Sequence, residues 1–128
     1  MFFFYFLEEL LEYVMSINQK IVLVGDMNID LLSNEPASVA LLEIAQASGC
    51  ENIISVPTRI TERTESLIDI CLTNYQKSDA FSGVLTADLS DHLPFFLLLS
   101  PTQFTTQAPV QKPSNFQTHK RNHFGKFL

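Results

Sequence analysis

An α/β fold is the class this sequence predicts, and three observations carry it. Residues 5–17 repeat apolar side chains at three- and four-residue spacings, the period of a helix with one buried face. Residues 37–48 return to that texture. The runs at 21–24, 67–72 and 93–99 are instead short, continuous and apolar, the pattern of strands buried on both faces.

The first helix is expected over 5–17. Phe6, Leu7, Leu10, Leu11, Val14 and Ile17 form its apolar stripe, and Glu8, Glu9 and Glu12 its solvated side. A strand follows at 21–25, ended by Gly25-Asp26-Met27-Asn28. Ser33 or Asn34 is placed to cap a second helix, near 36–48, entered by Pro36 and stopped by Gly49. A short strand is expected at 52–56, then a polar stretch from Pro57 to Glu65. The strand at 67–73 carries one acid, Asp69, in its apolar run. Gly83-Val84-Leu85 suggests a short strand, Ser90-Asp91-His92 a loop, and 94–99 a last buried strand with Pro94 at its entry. From Pro101 the texture turns to Thr, Gln, Pro, Asn and Lys without periodicity, so 101–128 is expected to be a disordered basic tail or linker.

Length and charge bound the function. The chain has 128 residues and 46% hydrophobic content, enough for a core and against disorder throughout. Its net charge of −6 argues against a general nucleic-acid binder. That charge is uneven. Residues 1–103 hold all 14 acids against four bases, a balance of −10, and residues 104–128 hold Lys112, Lys120, Arg121 and Lys126 with no acid. Cys50 and Cys71 form neither a disulfide framework nor a zinc spacing, and are expected to be reduced, packed thiols in an intracellular protein. The apolar opening, Met1 to Leu7, lacks a basic flank and is interrupted by Glu8, so neither a signal peptide nor a membrane helix is expected there.

Three acidic positions share one setting. Asp26, Asp69 and Asp91 each lie within or beside an apolar strand, where an acid is costly unless paired, hydrogen-bonded or on a metal. Neighbouring strands could bring all three to one end of a sheet. Asn28 adds a side chain that both donates and accepts, and His92 follows Asp91 directly. Asp30 and Asp88 are expected to serve loop solvation or helix capping. Thr58 and Arg59 could touch a DNA backbone or belong to an ordinary surface loop. His119 and His123 lack a third ligand nearby, and Phe2 to Phe6 is an apolar patch prone to association.

Five segments carry a resemblance to a known family: Ile21-Val22-Leu23-Val24-Gly25-Asp26-Met27-Asn28-Ile29-Asp30, Pro57-Thr58-Arg59-Ile60-Thr61, Leu67-Ile68-Asp69-Ile70-Cys71-Leu72-Thr73-Asn74, Ser82-Gly83-Val84 and Leu89-Ser90-Asp91-His92-Leu93-Pro94. In this order they resemble the endonuclease/exonuclease/phosphatase superfamily, with its deoxyribonuclease-I-like fold. The match is nearest to the endonuclease domain of non-LTR retrotransposon polyproteins, where a reverse transcriptase lies downstream. It covers residues 5–99.

The resemblance implies a partial domain over 1–100: the C-terminal half of a two-layer α/β sandwich, with a mostly antiparallel or mixed sheet flanked by helices. It implies a hydrolase that nicks DNA as a magnesium- or manganese-dependent phosphodiesterase. By the resemblance, Asp26 would handle the proton of the attacking water or of the leaving oxygen, and Asn28 would hold that group and the phosphate. His92 would contact the phosphate, Asp69 would orient His92, and Asp91 would sit beside the metal ion. Arg59 is a weaker substrate contact. The family's principal metal ligand lies in its N-terminal half, and nothing before Asp26 matches it, so the chain is expected to be weakly active or inactive alone. The resemblance further implies that this half would be supplied in cis or in trans, with DNA as partner once the domain is complete and a nuclear location if the protein acts on DNA; the short apolar opening adds the expectation of no membrane association. Two rival readings remain: a non-catalytic truncated product, and a superfamily member acting on another phosphoester.

Overall fold

The computed structural model describes residues 2–100. The tail at 101–128, with His119 and His123, lies outside the described residues. Two helices and seven strands follow in the order α1 (Phe2–Ser16), β1 (Val22–Asp26), α2 (Pro36–Ala47), β2 (Glu51–Asn52), β3 (Arg59–Ile60), β4 (Glu65–Ser66), β5 (Asp69–Thr73), β6 (Ala80–Val84) and β7 (Phe95–Leu99). The class is mixed α/β, and every strand pair is antiparallel.

Strand β5 is the centre of a three-stranded sheet ordered β1-β5-β2. Its Ile70, Cys71 and Leu72 are fully buried, which accounts for their unbroken apolar run. Leu7 and Leu11 of α1, and Leu41 and Ala45 of α2, join the same core. Cys50 and Cys71 are free and buried, and burial pushes both thiols up, away from reactivity.

Strand β1 departs from the expectation of burial on both faces. Val22 and Val24 are exposed, Val24 at 54%, whereas Leu23 packs against the core. The reason is position: β1 is an edge strand, and alternation puts Val22, Val24 and Asp26 together on its open side. Strand β7 corrects the same expectation. Phe95 and Leu97 pack inward, but Leu98 is 60% exposed opposite Phe81 at 65%, because β6 and β7 form a separate two-stranded sheet.

Two other details differ. Glu35, not Ser33 or Asn34, is the N-cap of α2, with no side-chain cap bond. Ser33 instead donates its hydroxyl to Asp30 O, and Ser38 donates to Ser33 O. The strand expected at 52–56 is cut to Glu51–Asn52, since the Asn52 amide takes over the ladder: Cys71 N donates to its Oδ1 at 2.9 Å, and its Nδ2 donates to Ile54 O at 2.8 Å. Gly49, at φ +69°, stops α2 in the left-handed region that glycine adopts readily.

Candidate active site

The register of β1 on β5 places Asp26 directly opposite Asp69. Opposed residues of an antiparallel pair point to the same face, so two carboxylates converge at the open end of the ladder. Asp26 closes a tight turn there: Asn28 N donates to its Oδ1 at 2.8 Å, and Asn28 takes φ +49°, which asparagine tolerates better than most residues. Met27 N donates to Ile68 O, which ties this turn to the entry of β5. Asn28 itself is exposed beside Asp26.

His92 arrives from the loop before β7. Its Nδ1 lies 3.0 Å from Asp69 Oδ2. An ionised carboxylate only accepts, so Nδ1 carries the hydrogen and Nε2 is left for other contacts. The Asp69 side chain is 16% exposed and that of His92 38%. Ser90 holds the loop, since its Oγ accepts from His92 N and donates to His92 O, both at 3.1 Å. Asp26, Asp69 and His92 thus offer three ligand atoms within 4.8 Å of one another.

Asp91 turns elsewhere. Arg59 Nε donates to Asp91 Oδ2 at 2.8 Å, and this guanidinium holds the Asp91 carboxyl below the usual range. Neighbours in sequence, Asp91 and His92 therefore engage different partners, and Asp26 completes the group around Asp69 and His92. Asp88 is exposed.

Two residues matter more than their sequence setting indicates. Asp30, expected to solvate a loop or cap a helix, accepts from Leu67 N at 2.9 Å and Leu32 N at 3.0 Å. It thereby joins the turn after β1 to the approach to β5. Thr58 is fully buried, so its side chain does not face a DNA backbone. Neither role had a signal in periodicity or composition.

The donor set can be tested against a divalent cation. Two carboxylate oxygens and one imidazole form an oxygen-rich set that suits manganese, and suits magnesium if further oxygens complete an octahedral shell. The site is open, because Asp26 is exposed. A separate cleft of about 430 Å³, lined by Leu31, Leu42, Gln46, Asn52 and Leu67, includes none of these site residues.

No family model, curated protein or solved structure matches this chain.

Proposed function

We propose that Asp26, Asp69 and His92 form the hydrolytic centre of a metal-dependent phosphodiesterase of the endonuclease/exonuclease/phosphatase type, with DNA as substrate. One observation carries this reading: three segments far apart in sequence deliver two carboxylates and an imidazole to within 4.8 Å. The Asp69–His92 hydrogen bond supports it, because it fixes one imidazole tautomer.

The chemistry follows from those groups. Water attacks phosphorus, a P–O bond to the leaving oxygen breaks, and a proton passes from water to that oxygen. Asp26 is exposed at the rim and would take the first proton or deliver the last. Asn28 would hold the same group and a phosphate oxygen. His92 would present Nε2 to the phosphate, with Asp69 behind it. A magnesium or manganese ion, when bound, would polarise the phosphoryl oxygen and offset the carboxylate charge that otherwise repels an anionic substrate. Asp26 and Asp69 would hold it, and Asp91 would join them only if its ion pair with Arg59 opens.

The described residues supply few ligands for such an ion. The reading therefore includes a complement, in cis or in trans, that adds donors and a second layer of an α/β sandwich. The open face of β1, with exposed Val22 and Val24 beside Asp26, supports such a layer. The order of the five motif segments supports an origin in a retrotransposon endonuclease acting in the nucleus.

The test combines binding with activity. Added Mn2+ should broaden the NMR signals of Asp26, Asp69 and His92 first, and any plasmid nicking, expected to be weak, should vanish in Asp26→Ala. A chain that shows neither effect at these residues overturns the reading.

A further inference from the structure

We propose that Thr58 is a positioning residue that sets the separation of Asp69 and His92, an inference resting on the reading of that pair as the hydrolytic centre. Thr58 has no exposed surface. Its hydroxyl oxygen accepts from Asp69 N at 3.0 Å and from Ile68 N at 3.3 Å. That contact holds the backbone at the point where β5 begins and where the Asp69 side chain departs.

The main chain of the same residue holds the other partner. Leu93 N, next to His92, donates to Thr58 O. Arg59 and His92 form an antiparallel bridge, and Ile60 N donates to Asp91 O at 2.9 Å. Thr58 N donates to Ser66 O at 3.0 Å, fixing Thr58 itself to the approach to β5. One residue therefore grips the Asp69 backbone through its side chain and the His92 loop through its carbonyl. A shift of an ångström between them would break a 3.0 Å contact between Nδ1 and the carboxylate.

Valine matches threonine in shape but lacks the hydroxyl, and serine keeps it. The readout is the tautomer of neutral His92, taken from its imidazole 15N shifts. Wild type and Thr58→Ser should hold the Nδ1–H form. In Thr58→Val the ratio of that form to the other should fall by about fivefold, the loss expected for one hydrogen bond of ordinary net strength. A Thr58→Val protein that folds and keeps the wild-type ratio overturns the proposal, as does a Thr58→Ser protein that loses it. Should Thr58→Val not fold, hydrogen exchange on the wild type decides: an Asp69 amide exchanging as fast as an exposed one overturns the proposal, and a protected one supports it. Neither readout uses nuclease activity. A tautomer shift in a chain that shows neither Mn2+ broadening at Asp26, Asp69 and His92 nor nicking thus upholds Thr58 and counts against the hydrolytic reading, whereas Mn2+ broadening at these residues with an unmoved tautomer does the reverse.

Discussion

Asp26 and Asp69 face each other as register partners at the end of the β1–β5 ladder. Like charges placed directly opposite across a sheet oppose folding. The register therefore sets two carboxylates in opposition, and the His92 Nδ1–H donated to Asp69 is the contact placed to temper it.

Asp26→Asn should relieve that opposition while keeping an oxygen for Asn28 N. In chelator, its thermal midpoint should rise by roughly 2–4 °C, the shift expected of about 0.5 kcal/mol in a domain this small. With Mn2+ the order should reverse, because the wild type gains stability from an ion that the variant binds less well. Differential scanning calorimetry with and without metal measures both. A variant that is less stable in chelator would show that the carboxylates are not in conflict.

His92→Ala removes the hydrogen bond to Asp69 and leaves that half-buried carboxylate facing Asp26 alone. A loss of about 1 kcal/mol is expected in urea unfolding. Any metal-dependent nicking should fall by roughly 10²–10⁴-fold, the usual contribution of a positioned acid or base. Equal nicking by wild type and variant would remove His92 from the chemistry.

Arg59 and Asp91 give the loop beside the site a pH dependence. The guanidinium holds the Asp91 carboxyl below its ordinary value of 3.8. A carboxyl lowered by folding contributes stability that is fully present above the unfolded value and is lost as pH falls through the folded one. The pair should therefore be intact at neutral pH and open in acid, below the ordinary carboxylate range. Arg59→Ala should return the Asp91 carboxyl 13C titration upward toward 3.8. Both side chains are more than 40% exposed, so the thermal midpoint at neutral pH should scarcely move. An unchanged titration would mean that Arg59 does not hold Asp91 in solution.

How much of this was legible depends on the length of each signal. Helix α2 and strand β5 came out near their expected bounds, because twelve residues of helical period or an unbroken apolar run outweigh local noise. The β3–β4 hairpin was not anticipated: two residues per strand are too few to display alternation. Continuous hydrophobicity misled at β1, since Val24 looks the same in sequence whether a second layer covers it or not. At the site, Asp26, Asp69 and His92 stood out by motif, and the structure brings them together. The Arg59–Asp91 pair, 32 residues apart, and the buried hydroxyl of Thr58 depend on how loops close, which no local pattern encodes.

Asn52 is the last case, where a side chain replaces backbone. Its Oδ1 accepts from Cys71 N in the middle of β5, and its Nδ2 donates to Ile54 O. The main chain continues the edge only through Ile53 N to Cys71 O. Asn52→Leu keeps the size but leaves the Cys71 amide and the Ile54 carbonyl without these partners. Buried groups left unpaired are expensive, so a loss of roughly 2–4 kcal/mol is expected in urea unfolding. Asn52→Asp retains an acceptor for Cys71 N and loses only the donor, so it should cost about half as much. Hydrogen exchange at Cys71 should accelerate in the leucine variant and stay slow in the aspartate one. Equal costs for the two variants would show that the Asn52 amide fills space without carrying the ladder.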